Sequence, residues 1–195
     1  MKKIIILTFF CHVLFLVSCG KMTGSAAPKN DSVWNEKIQD TFYDMKLGDT
    51  LSIMDIVNNL YSKGFRFIAT YSDEKVLRFD PLMSKSFSFG GLSWEHLNIY
   101  RENGIFTKID FYNVSKDKAC ALESYESIKG ALQNKYKPTP QEPADTTVYA
   151  FCNFYGKNNV KVQCNCRRGE SVSKQIYIYT NLCYSYKNDM ISNDL

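Results

Sequence analysis

Leu92-Ser93-Trp94-Glu95-His96-Leu97-Asn98-Ile99-Tyr100-Arg101, then Glu102-Asn103-Gly104, then Ile105-Phe106-Thr107-Lys108-Ile109-Asp110-Phe111-Tyr112 is the stretch from which the fold can be argued. Apolar and polar residues alternate on both sides of a turn signal, the pattern of a β-hairpin with one buried face. A two-residue Asn103-Gly104 turn sets Leu97 and Ile99 opposite Asp110 and Lys108, mixing charge with apolar groups on both faces. A three-residue loop, with Gly104 left-handed as a bulge, pairs Arg101 with Ile105 and sorts the faces. That register sets Leu97 opposite Ile109 and His96 opposite Asp110. One face then carries Leu97, Ile99, Ile105, Ile109 and Phe111. The other carries Trp94, His96, Asn98, Tyr100, Phe106, Lys108, Asp110 and Tyr112.

Upstream, Ile53, Ile56, Val57 and Leu60 recur at helical spacing between the capping residues Asp49-Thr50 and Gly64, predicting a helix over about 50–63. Strands are expected at 65–71 and 76–79, with a loop at 80–85. The segment 34–43 reads as a short helix or an extended lead-in. Downstream, Ala121, Tyr125, Ile128 and Leu132 form one stripe of a second helix over about 116–136. Pro138, Pro140 and Pro143 predict an extended connection, and strands are expected at 147–155, 160–167 and 175–186. Their alternation places Val148, Ala150, Cys152 and Phe154 with Val162, Cys164 and Cys166 on one side. The order helix, strands, helix, strands predicts an α+β domain of two degenerate repeats, 34–113 and 114–187. In that reading the helices pack on one face of an antiparallel sheet, and a polar tail follows at 188–195.

The N-terminus reads differently from the rest. Lys2 and Lys3 precede an apolar run from Ile4 to Val17, which is short for a membrane span and fits a signal peptide of residues 1–18. Leu16-Val17-Ser18-Cys19 resembles the lipobox of bacterial lipoproteins. The resemblance implies acylation of Cys19 and cleavage before it. Residues 19–33, rich in Gly, Ser, Ala, Lys and Asn, read as a flexible tether with a reach of roughly 20 Å. In bacteroidete lipoproteins acidic residues just after the acylated cysteine mark export to the cell surface. Gly20-Lys21-Met22-Thr23 has none, so the expected location is the outer membrane, facing the periplasm.

Leu47-Gly48-Asp49-Thr50 at a helix start, with a sheet following each helix, resembles the fold shared by the beta-lactamase inhibitor protein and the small lipoprotein of the barrel-assembly machinery. That resemblance implies an α+β fold and transfers no functional residue.

Removing the leader lowers the formal charge from +4 to +2, because it contains Lys2 and Lys3 and no acid. So weak a charge gives no basis for nucleic-acid binding, and membrane attachment falls to the lipid. Five of the seven cysteines remain once Cys11 is removed and Cys19 acylated. An odd number excludes a complete disulfide framework. Cys164-Asn165-Cys166 suggests a thiol or soft-metal handler, but no second C-x-x-C or histidine cluster accompanies it, and no cofactor or metal is expected. A single intramolecular disulfide and buried thiols acting as small apolar residues are the alternatives.

His96 opposite Asp110 has the composition of a hydrolase's orienting pair, suited to cell-wall or glycan material, but lacks a nucleophile motif such as G-x-S-x-G. The stronger signal is the aromatic face. Trp94, His96, Tyr100, Asp110, Tyr149, Phe151, Tyr177 and Tyr179 are expected together on the side opposite the core, as a surface for another envelope protein. The expected function is therefore non-enzymatic binding.

Overall fold

The computed structural model describes residues 34–139, 146–170 and 174–186, all of one compact unit. The expected signal peptide, the expected acylation site Cys19, the expected tether, Pro140, Pro143 and the expected polar tail lie outside the described residues.

Among the described residues, twelve strands and two α-helices follow in order. Strands β1 (Trp34–Asn35), β2 (Thr41–Phe42) and β3 (Met45–Lys46) open the chain, so the lead-in is extended rather than helical. Helix α1 (Ile53–Ser62) precedes β4 (Phe65–Phe67), β5 (Val76–Pro81), β6 (Phe87–Phe89), β7 (Leu92–Trp94), β8 (His96–Glu102) and β9 (Ile105–Ser115). Helix α2 (Lys118–Gln133) precedes β10 (Val148–Gly156), β11 (Val160–Glu170) and β12 (Ile176–Tyr186).

Eight strands make one sheet in the order β1-β10-β11-β12-β9-β8-β5-β4, while β2-β3 and β6-β7 are separate two-stranded ribbons. The β1–β10 contact is parallel and the other pairings are antiparallel. The expected α+β arrangement of two helix-then-strands repeats is therefore wrong. This is a sheet-dominated fold around one large mixed sheet, with only two helices among the described residues.

The reason lies in the joint between the expected halves. Strands β9 and β12 pair without interruption from Ile178↔Ser115 to Ser185↔Lys108, which makes one continuous sheet. The helices are not equivalent either. Helix α2 packs across β12, β11 and β9, whereas α1 meets mainly the edge strand β4. The rest of the core comes from non-helical chain. Ile38, Phe42, Met45 and Leu47 are buried, and Phe87 and Phe89 of the β6-β7 ribbon pack against them. The rings of Phe89 and Phe111 stack at 4.1 Å, and Phe42 lies 4.8 Å from Tyr184.

Local chemistry explains the helix limits. Ser52 caps α1 by accepting from the Asp55 amide at 3.1 Å, so the helix begins after Ser52 and not at Thr50. Asp117 caps α2 by accepting from Ala119 N at 2.7 Å and Cys120 N at 3.3 Å. The stripe Ala121, Tyr125, Ile128 and Leu132 is buried as the spacing predicts.

The expected three-residue loop pairing Arg101 with Ile105 is wrong: the central hairpin uses the two-residue turn. Glu102 pairs with Ile105 around Asn103 (φ 51°) and Gly104 (φ 81°), both left-handed, a two-residue turn. Arg101 then pairs with Phe106, but Tyr100 pairs with Lys108, leaving Thr107 as an extra residue in a bulge. That residue restores the sorting of faces. Beyond it Ile99 faces Ile109 and Leu97 faces Phe111, while Phe106 is fully buried in the core. His96 now stands opposite Tyr112, and Asn98 opposite Asp110.

Candidate functional site

Strand periodicity assigns the two sheet faces. Leu77, Phe79, Leu97, Ile99, Ile109, Phe111, Phe154, Val162, Cys164 and Leu182 belong to the buried core on the helix side. The intervening residues form the opposite face. There, register lines up polar side chains in rows across the sheet. One row runs Arg78, Asn98, Asp110, Cys183, Gln163, Asn153. Its neighbour runs His96, Tyr112, Asn181, Asn165, Phe151. On the other side Lys108 lies over the Tyr100 ring at 3.7 Å.

A cavity of about 430 Å³ opens on this face, lined by residues of β5, β8, β9, β11 and β12. Asp110, only 5% exposed, is at its floor. Its two carboxylate oxygens accept from the Asn181 amide at 3.2 and 3.1 Å. Among the described residues no basic group comes within ion-pair distance of it. Burial pushes its pKa up from 3.8 to about 6, with Lys108, Asn181 and Arg167 opposing that rise. Asn98 Oδ1 and Asn181 Oδ1 are buried beside it without a donor. Tyr112 and Tyr179 contribute rings 6.2 Å apart, and burial raises the Tyr112 phenol to about 12. Arg78 reaches over Tyr112 at 5.8 Å, and Arg167 over Tyr179 at 6.0 Å. The Tyr179 ring lies directly on Gly169, where a Cβ would come within 2.3 Å of it.

His96 sits beside this cavity in a different partnership from the one expected. Its Nδ1 is 2.7 Å from Asp80 Oδ1, within hydrogen-bond distance of that carboxylate. Arg78 Nη2 is 3.0 Å from the same nitrogen, and the imidazole packs 4.8 Å from the Tyr112 ring. The two-residue turn and the bulge at Thr107 each move the pairing by one residue from the expected register, so Asp110 stands opposite Asn98 and not opposite His96. No hydroxyl or thiol among the described residues hydrogen-bonds to His96, so this face has no assembled nucleophile–base pair.

The expected surface residues divide. Tyr100, Asp110 and Tyr179 line the cavity, His96 adjoins it, and Phe151 lies on the same face further across the sheet. Tyr177, two residues before Tyr179, is near the rim with its hydroxyl donating to Gln175 at 2.6 Å. Trp94 is not on this face. It is 1% exposed in the core, with Nε1 donating to Phe89 O, because it belongs to the β6-β7 ribbon. Tyr149 also departs: the pairing shifts between Val148 and Ala150, and the ring turns under Lys118 at the start of α2, 4.0 Å away. Cys164 and Cys166 are both fully buried on the core side and open to no surface ligand. Sequence reading overlooked Arg78, Asn98, Arg167 and Asn181. Their only signal was a place in the polar half of an alternation, and it becomes legible only once strands distant in sequence are in register.

Fold and site together define a sheet-dominated domain with a polar, tyrosine-walled cavity on the sheet face opposite its helices. The chain matches no protein-family model, no curated protein and no solved structure.

Proposed function

We propose that this protein is a lipid-anchored binding module of a bacterial cell envelope, held to the outer membrane through acylated Cys19 and facing the periplasm. Its open sheet face, centred on Asp110, Tyr112 and Tyr179, receives another envelope protein. The observation that carries this reading is the cavity itself. A sheet face built only for stability has no use for a buried carboxylate without an ion-pair partner, since burying such a charge opposes folding. Arginine and tyrosine around a buried polar centre are among the side chains that dominate the energy of protein interfaces. The hydrolase alternative loses its basis, because it required His96 and Asp110 to act as a pair.

The test is photo-crosslinking in cells from position 179 and, separately, position 100, with position 61 as control. Tyr61 is 63% exposed on α1. The same protein adduct from 179 and 100, absent from 61, supports the proposal. No adduct from either, in protein that reaches the membrane, refutes it. Cys19→Ala should abolish incorporation of a palmitate analogue, and unchanged labelling would refute the anchor.

A further inference from the structure

Cys152 and Cys164 are direct cross-strand partners on β10 and β11. Both point to the core side, Cys164 fully buried and Cys152 half-buried. Directly opposed residues in an antiparallel pair have Cβ atoms about 4.5–5.5 Å apart. A disulfide asks for about 3.5–4.5 Å, a change within reach of small backbone adjustments. Each thiol perturbs the titration of the other. Among the described residues no other cysteine is so placed. Cys166 faces Ala150 and Thr180, Cys183 faces Gln163 and Asp110 from the other side of the sheet, and Cys120 is exposed at the start of α2.

The environment divides the pair into two roles. Cys164 donates to the Cys152 sulfur, and Lys129 of α2 adds positive charge nearby, itself bound to Glu126 at 3.0 Å. Together these lower the Cys152 thiol to about 7, against the opposing effects of burial and of Glu126. The same hydrogen bond, burial and the proximity of a Cys152 thiolate push Cys164 up, so it remains the protonated member. A half-exposed thiolate backed by a buried thiol is the arrangement of an attacking and a resolving cysteine.

We propose that Cys152 and Cys164 form a reversible dithiol–disulfide couple that exchanges with the disulfide of a second molecule. The Cys152 thiolate attacks one sulfur of RS–SR′, forming Cys152–SR and releasing R′S⁻. Cys164 gives up its proton, and its sulfur displaces RS⁻ from the mixed disulfide to form Cys152–Cys164. Counted from the dithiol, the protein loses two electrons and two protons, one from Cys152 when its thiolate forms and one from Cys164, and the incoming disulfide takes them up to become two thiols. The resulting bond ties β10 to β11 beneath α2. This inference is independent of the open-face cavity, which lies on the other side of the sheet.

The full-length protein in detergent is incubated with oxidised glutathione, quenched in acid, alkylated and analysed by intact mass and peptide mapping. The expected result is loss of two titratable thiols with a single Cys152–Cys164 link, reversed by dithiothreitol. A bond between other cysteines, a stable glutathione adduct on Cys152 in the wild type, or no thiol loss would each overturn the proposal. Cys164→Ala should instead trap the glutathione adduct on Cys152. The same change should slow Cys152 alkylation at pH 7 by about tenfold, because the donor that favours the thiolate is gone. The wild-type mapping decides the question even where that variant folds poorly.

Discussion

Replacing Asp110 with Asn should make the protein more stable at neutral pH. The folded state holds the Asp110 carboxyl at a pKa of about 6, against 3.8 for the free group. Between those two values the folded chain binds more protons than the unfolded one, so stability falls as pH rises from about 4 to about 6 and stays lower above. At about 1.36 kcal/mol for each pKa unit, the carboxylate costs roughly 3 kcal/mol at pH 7. Asn keeps the shape, removes the charge, and retains at least one contact with the Asn181 amide. Allowing about 1 kcal/mol for the hydrogen bond that is lost or rearranged leaves a gain of roughly 1–2 kcal/mol. The assay is urea unfolding of wild type and Asp110→Asn at several pH values between 3.5 and 8, followed by circular dichroism. The difference between the two proteins isolates this group from other titrations. It should be smallest, or reversed, near pH 3.5 and widen through pH 6 in favour of the variant. A variant less stable than wild type at pH 8, or a difference independent of pH, would refute the reasoning. If the carboxylate serves binding, the stabilised variant should also lose the crosslink from position 179.

Three further outcomes test other parts of the structure. Gly169→Ala places a methyl where the Tyr179 ring now lies; it should weaken folding by roughly 1–3 kcal/mol and shift Tyr179 fluorescence or its crosslink yield. Phe111→Ala removes the ring stacked on Phe89 at 4.1 Å in a fully buried site, and thermal unfolding should report a loss of about 3–5 kcal/mol. Asp117→Ala takes two hydrogen bonds from the start of α2, which should cost about 1 kcal/mol by denaturant titration.

Local signals read from the chain survive in the structure wherever they depended on neighbours in sequence. The stripe Ala121, Tyr125, Ile128 and Leu132 is buried because helical spacing alone puts those residues on one side. The last three strands lie close to where alternation placed them, for the same reason at a period of two. The hairpin at Asn103-Gly104 was legible as a hairpin but not in its register, because one extra residue in a bulge exchanges the faces and is not marked by composition.

Sequence by itself determined which residues alternate, where α2 lies, and that a lipobox-like stretch ends at Cys19. Only the tertiary structure decided that β9 pairs with β12 to join the halves into one sheet. It also moved Trp94 into the core and Tyr149 beneath Lys118, gave His96 to Asp80, and set Cys152 opposite Cys164. Each of these depends on the pairing of segments far apart in the chain. Such pairing is chosen by the combined burial of the whole apolar face, a quantity that no short stretch of residues carries.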